Sequence, residues 1–395
     1  MKIYFIAAAL VLCTAGPLQA EDDAVMSAYK EFVAAEKSGD KKKALAASER
    51  ALTLAIAEGP SAKRTGVLAA NYARQLSAAG RDADAAKIFD QCAEILAAFE
   101  EALADRLSCR VGAGDSYVRG EDYEAAHERY RAVIADGEPR APENPEIALT
   151  VGEAYLGLTI YGETLPVSDV PRATIGSGET SSRIIRRPSQ SDADLREVKR
   201  NAERALAMFE LAGAADSVSY ASALRVLGAA TTRQGDPAAA VEYYKKSADI
   251  LAAKVGETDS RTIAMRGRQK LTEYEVYIAK AEAAPPISRQ PSGPDCKLKL
   301  SAGVEMEACV ELRIPPYFPN SELYKGQQGF ALIRYDINVK GATENLEVVI
   351  DWPGGIFTEK AVKAVSKWKY TPPTDPQGKV GRIEDIETMV RYIIR

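Results

Sequence analysis

Four times along this chain a glycine turn opens the same helical pattern. Gly39-Asp40 precedes Ala44, Ser48 and Ala51, and Gly80-Arg81 precedes Ala85, Phe89 and Cys92. Gly120-Glu121-Asp122-Tyr123 precedes Ala126, Tyr130 and Val133, and Gly235-Asp236 precedes Ala240, Tyr244 and Ser247. Each trio sits at i, i+4 and i+7, on one face of a helix. The leading alanine lets a neighbouring helix approach, and the aromatic, present in three copies, fills the gap between its turns. The first three turn glycines are 41 and 40 residues apart. A fixed period of this length means helical hairpins that cannot bury their apolar faces alone and must stack on one another. The region 24–283 is alanine-rich and helical in pattern almost throughout.

The last copy resembles the tetratricopeptide family: Leu224-x-x-Leu227-Gly228 before the turn, then Gly235-Asp236-Pro237-x-x-Ala240-x-x-x-Tyr244-x-x-Ser247. It departs at the consensus tyrosine position, which here is Thr231. The period exceeds the ~34 residues of the standard unit, which implies long hairpins. Between the third and last copies the pattern predicts a helical pair over about Pro145–Tyr161 and Asp192–Ala212. Residues 163–190 interrupt it, rich in Gly, Ser, Thr and Pro and carrying Arg183, Arg186 and Arg187. This insertion reads as a long loop, functional or disordered. Its arginines could grip an anionic partner such as a lipid headgroup, but a solvated loop is the expectation.

Residues 284–294, Ala-Pro-Pro-Ile-Ser-Arg-Gln-Pro-Ser-Gly-Pro, read as a linker. Beyond it the apolar period changes from 3.6 to 2. Segments 296–300 and 304–308 flank Ser301-Ala302-Gly303, a three-residue hairpin loop. One register sets Lys297 against Glu307, Lys299 against Glu305 and Leu298 against Met306, matching charge and apolarity together. A strand over 329–337 puts Ala331, Ile333, Tyr335 and Ile337 on one face, and Gly341 turns the chain. Leu346, Val348 and Ile350 mark a second strand. Phe357, Ala361, Ala364, Val365 and Trp368 mark one helix face over 357–368. A final strand over 387–394 aligns Val390, Tyr392 and Ile394. The expected fold is multidomain: an all-α helical-hairpin solenoid over 21–283, then a small α+β domain over 295–395.

That last domain resembles the C-terminal domain of the TonB family. The resemblance rests on Pro315-Pro316-Tyr317-Phe318-Pro319, Gly326-x-x-Gly329, the alternating strand from Ala331, Gly341, Val348-Val349, Phe357-x-x-x-Ala361-x-x-Ala364-Val365-x-x-Trp368-Lys369-Tyr370-x-Pro372 and Gly378-Lys379-Val380, all in order. Phe357 and Trp368 read as core. The resemblance implies protein binding by strand addition to a sheet edge, where unpaired backbone groups supply sequence-tolerant affinity. It implies that the edge is the last strand, Thr388-Met389-Val390-Arg391-Tyr392-Ile393, with Met389, Arg391 and Ile393 facing away from the helix. Dimerisation through this strand, or simple solvation, is the alternative.

The segment 1–20 reads as a secretory signal, with Lys2, an apolar run from Ile3 to Leu12 and cleavage expected after Ala20. Its 18 uncharged residues from Ile3 to Ala20 also reach the lower limit for a membrane span of ~17–25 residues. Export makes Cys92, Cys109, Cys296 and Cys309 disulfide candidates. Cys92 and Cys109 lie equidistant from a helix–helix turn near Phe99–Glu101, and a buried thiol pair is the alternative. Cys296 and Cys309 bracket the hairpin, with Cys296 opposite Ala308, one residue off. With 51 basic and 56 acidic residues the chain is a poor nonspecific nucleic-acid binder. His127 is its single histidine and is expected on a helix surface or groove. No catalytic, phosphate-loop, metal or cofactor motif occurs, and Gly112-Ala-Gly114-Asp115-Ser116 lacks a phosphate-loop lysine. The expected protein is a noncatalytic periplasmic adaptor with envelope protein partners, a TonB-dependent outer-membrane receptor or inner-membrane motor components among them. The alternative is an energy transducer anchored in the inner membrane by an uncleaved N-terminus.

Overall fold

The computed structural model describes residues 24–159, 192–283, 296–299, 305–321 and 329–392. The expected signal segment 1–20, the insertion 163–190, the linker 284–294, the hairpin loop 301–303, Gly326 and Ile393 lie outside the described residues. The chain divides into two compact units, Met1–Arg129 and Tyr130–Arg395.

The first unit holds α1 (Ala24–Ser38), α2 (Lys41–Glu58), α3 (Lys63–Ala78), α4 (Asp82–Leu96), α5 (Leu103–Arg119) and the start of α6 (Tyr123–Gly137). Antiparallel neighbours pack in series, α1 on α2, α2 on α3, α3 on α4 and α4 on α5. The repeated trios are the packed face: Ala44, Ser48, Ala51, Ala85, Phe89 and Cys92 are all buried. Gly39 and Gly80 take positive φ at their turns, where a side chain would be strained. The third turn differs. Its left-handed residue is Glu121 rather than Gly120, because in every one of these turns the left-handed position is the residue directly before the cap: Gly39 before Asp40, Gly80 before Arg81 and Glu121 before Asp122. Asp40 and Asp122 then serve the same purpose, accepting from the Lys43 and Ala125 amides at 3.1 Å each.

The second unit continues with the remainder of α6, α7 (Pro145–Gly157), α8 (Asp192–Leu211), α9 (Val218–Arg233), α10 (Pro237–Val255) and α11 (Ser260–Ala283). Asn144 caps α7, just ahead of Pro145. Ala240, Tyr244 and Ser247 are buried on α10. The Tyr244 ring lies against Gly228 of α9 so closely that an added Cβ would sit 2.9 Å from it. Thr231, at the position where the repeat family has tyrosine, is also buried.

The α+β portion follows as β1 (Lys297–Lys299), β2 (Glu305–Glu307), β3 (Val310–Leu312), β4 (Gly329–Ile337), β5 (Thr343–Trp352), α12 (Ile356–Val365), β6 (Lys369–Tyr370) and β7 (Ile383–Tyr392). β1 and β2 pair in the register that matches Lys297 with Glu307 and Lys299 with Glu305. β3 pairs with β6, and a three-stranded antiparallel sheet runs in the order β5-β4-β7. Ala331, Ile333, Tyr335 and Ile337 face α12 and pack with Phe357, Ala361, Val365 and Trp368. Trp368 lies beyond the helix end, donating its indole N–H to the Ile314 carbonyl at 2.9 Å. Gly341 is fixed by a close approach: a Cβ there would lie 1.8 Å from the Tyr370 carbonyl oxygen.

β7 begins four residues before the expected Glu387. Asp385 sits at φ 58 in a bulge opposite Tyr335 and Ile337, so Ile383 and Ile386 both reach the core despite being three apart. A simple alternation therefore misses the first half of the strand. In β5 a second irregularity sets Val348 opposite Ile333 but Ile350 opposite Leu332, placing them on opposite faces of the sheet.

Candidate protein-interaction edge

β7 lies at one side of the sheet, paired with β4 from Gly329↔Tyr392 to Ile337↔Ile383. Its other side carries no strand among the described residues. Ile386, Thr388, Val390 and Tyr392 point into the α12 core, and the Tyr392 ring packs against Phe357, tilted by 51° with centroids 4.9 Å apart. Met389 and Arg391 take the opposite face and are half-buried. Burying an aliphatic or aromatic side chain is worth roughly 1.5–3 kcal/mol, so Val390 and Tyr392 anchor the strand to the α12 core. Their own side chains are committed to the core. Any partner-binding role for Val390 and Tyr392 is therefore a backbone role.

The other outer strand, β5, is engaged. Its start is joined to β6 by the Ala342↔Lys369 bridge and by the Tyr370 N–H donating to the Gly341 carbonyl at 2.8 Å. Across its face lies α11. Trp352 seats on Gly267 of that helix, 2.8 Å from where a Cβ would be. Further along, Tyr277 donates its hydroxyl to Glu387 of β7, whose side chain is only 8% exposed. Arg334 of β4 completes the group, donating to Glu387 at 3.1 Å, to the Tyr277 oxygen at 2.9 Å and to Glu347 at 3.0 Å. Burial, reinforced by the Glu387 carboxylate, pushes the Tyr277 phenol above its ordinary range and keeps it a donor.

A second polar group secures the bulge. Asp336 accepts from Asn345 at 2.7 Å, from Arg382 at 2.8 Å and from the Asp385 amide at 3.1 Å. Burial alone would raise its carboxyl; these donors outweigh burial and hold it below the usual carboxylate range. Arg334, Asp336, Glu387 and Tyr277 were not recognisable as a set from sequence. Charged residues inside strand patterns were the one available signal.

The cysteines are joined as Cys92–Cys109, Cα atoms 6.1 Å apart, and Cys296–Cys309, 4.6 Å apart. The first links α4 to α5. In the second, Ala308 stands opposite Cys296 and donates its N–H to the Cys296 carbonyl at 2.8 Å, and the next residue, Cys309, makes the bond. Glu307 lies within 4.8 Å of both sulfurs of that pair, but bonded sulfurs are not thiolate ligands. His127 is half-buried on α6, and Gly112 to Ser116 lie within α5. Among the described residues no helix is long and apolar enough to cross a membrane.

Residues 314–394 match the family model described as Gram-negative bacterial TonB protein C-terminal. A search of curated proteins finds no match. Among solved structures, the chain is similar to a kinesin light chain protein of Podosopora anserina with nearly identical TPR-like repeats, at 15% identity and TM-score 0.39, covering 58% of this chain and 95% of that one. It is also similar to MamA from Desulfovibrio magneticus RS-1, at 14% identity and TM-score 0.37, covering 60% and 99%. The molecule is a helical-hairpin repeat array followed by an α+β portion that matches the TonB C-terminal model. That match points to protein–protein interaction.

Proposed function

We propose that this protein is a noncatalytic adaptor of the Gram-negative envelope that takes up an extended segment of a protein partner along the outer side of β7. The supporting observation is the asymmetry of the sheet. β5 is bridged to β6 and overlain by α11, whereas β7 is buttressed by Val390 and Tyr392 and has no strand on its outer side among the described residues. A partner strand would bond to the backbone of residues 386–392, and Met389 and Arg391 would select among partners. The bulge at Asp385 sets the limit of that template. The signal-like segment 1–20 and the TonB C-terminal match support the periplasm as its compartment and envelope proteins as its partners, a TonB-dependent outer-membrane receptor being the foremost candidate.

A photo-crosslinking residue at Met389 tests this in intact cells, with one at exposed Lys363 of α12 as control. The expected result is an adduct from position 389 and none from 363. Along an edge strand alternate N–H groups point outward, so of Val390→Pro and Arg391→Pro one abolishes the adduct without disturbing the β4 ladder. An adduct indifferent to both prolines would overturn strand addition.

The second reading is an anchored energy transducer driven by an inner-membrane motor, favoured by the uncharged run from Ile3 to Ala20. Intact mass of protein from separated soluble and membrane fractions decides between them. A soluble form starting at Glu21 supports the adaptor, and a membrane form retaining Met1 supports the transducer.

A further inference from the structure

Two small devices recur along the helical hairpins. The first is a glycine notch that receives a large ring from the adjacent element. In α5, a Cβ on Gly112 would lie 2.7 Å from the Phe89 ring of α4. In α7, Gly152 meets Phe209 of α8 at 2.7 Å, and in α9, Gly228 meets Tyr244 of α10 at 2.9 Å. The second is a tyrosine hydroxyl given to a carboxylate of a preceding element. Tyr72 of α3 donates to Glu49 at 3.1 Å, Tyr117 of α5 to Asp90 at 2.9 Å, Tyr155 of α7 to Glu138 at 2.9 Å and Tyr220 of α9 to Glu210 at 2.7 Å.

The helix α11 carries a glycine notch and a tyrosine of the same kinds, and no further helix of the hairpin array follows it among the described residues. The sheet stands there instead. Gly267 receives Trp352 from β5, and Tyr277, which unlike the four tyrosines above donates forward in the chain, gives its hydroxyl to Glu387 of β7. An array of stacked hairpins needs its last apolar face covered. We infer that the C-terminal domain is the structural cap of the helical array, its sheet occupying the place of the missing partner helix of α11. In this arrangement the domain is not a module swinging on the Pro-rich segment 284–294. A load on β7 passes into α11 through Glu387 and Tyr277, and the β7 edge is presented in a fixed relation to helices α9–α11. The inference stands whether or not β7 binds a partner.

The experiment is to place a protease site within 284–294 of the full chain, cleave it, and follow the fragments by size-exclusion chromatography at micromolar concentration. Neither disulfide crosses the cut, because Cys92–Cys109 lies before it and Cys296–Cys309 after it. The cleaved wild type is expected to elute as one species. Gly267→Leu fills the notch, and overpacking of this kind should weaken the association about thirty-fold, separating the fragments. Tyr277→Phe removes one hydroxyl and should give a smaller loss, of about five-fold. Circular dichroism of the uncleaved Gly267→Leu chain, unchanged from wild type, shows that the helices still form. Fragments of the wild type that separate on cleavage would overturn the cap. Fragments of Gly267→Leu that stay together as tightly as wild type would overturn it too, since the contact would then lie elsewhere.

Discussion

The hairpin α9–α10 and the pairing of α11 with the sheet solve one packing problem by opposite means. In the hairpin, Gly228 meets Tyr244 across a single turn, 16 residues along the chain. In the second case, Gly267 meets Trp352, 85 residues away and on a strand. The first contact closes with little loop entropy and belongs to one repeat. The second closes a loop of 85 residues, at a larger cost in chain entropy. A ring in a glycine notch does not need a helix behind it, and a β-strand serves as well when its side chain stands at the right height.

The comparison can be broken most strongly in the core beneath the sheet. Phe357→Ala should remove about 3–5 kcal/mol from the C-terminal domain. Both tryptophans of the chain, Trp352 and Trp368, lie in this domain, so their fluorescence reports the sheet while the far-ultraviolet signal reports the helices. In urea titrations the fluorescence midpoint should fall sharply and α11 should lose protection against hydrogen exchange. If α11 stays protected, the sheet does not support it.

Next in size are the disulfides. Cys296 and Cys309 are 13 residues apart, and Cys92 and Cys109 are 17 apart. Loops of this length imply about 3 kcal/mol each on opening. Cys296→Ser should lower the fluorescence midpoint alone, and Cys92→Ser the helical signal alone. A shift in the other probe in either case would show that the stapled elements are linked beyond their own neighbourhoods.

The notches come third. Gly228→Leu and Gly267→Leu should each cost about 1–3 kcal/mol by overpacking. The local notch should register in the helical transition, and the distant one in tryptophan fluorescence as well, because Trp352 itself is displaced. Equal effects on both probes from both variants would erase the distinction between them.

The smallest effects belong to the tyrosines. Tyr220→Phe or Tyr277→Phe should cost about 1 kcal/mol. Their pH dependence has a definite sign. Burial and the adjoining carboxylates raise Tyr72, Tyr117, Tyr220 and Tyr277, and push Tyr155 up from 10.0 to about 12. The unfolded chain ionises first as pH rises, so the hydrogen-bonded phenols contribute fully below pH 10.0 and the Tyr155 share is lost between there and about 12. Asp336 has the opposite sign: its depressed carboxyl contributes above the ordinary carboxylate range and is lost as acid titrates it in the folded state. Denaturation midpoints across both ranges, with Tyr155→Phe and Asp336→Asn as controls, check each direction.

Much of this was legible in the residues. The trios after Gly39, Gly80, Gly120 and Gly235 mark buried helix faces because helical periodicity is a local property. The charge pairs Lys297–Glu307 and Lys299–Glu305 specify their hairpin register for the same reason, as does the alternation from Ala331 to Ile337 for its face. The cysteine pairs were within reach because each spans a single hairpin. Periodicity misled where the backbone departs from it. The bulge at Asp385 hides the first half of β7, the irregularity in β5 puts Val348 and Ile350 on different faces, and in the third turn it is Glu121, not Gly120, that takes the left-handed position.

The edge side chains Met389 and Arg391 could be named from an alternating strand. That α11 lies across β5, and that no described strand lies beyond β7, could not, since both depend on where distant segments come to rest. Local pattern determined helices, strands, turns and caps, because each is decided by residues within a few positions of one another. Only the tertiary structure decided that Trp352 fills a notch in Gly267, that Glu387 accepts from Tyr277, and that the sheet stands where another helix would have been. Those contacts join segments 85 and 110 residues apart, and no spacing within one element encodes them.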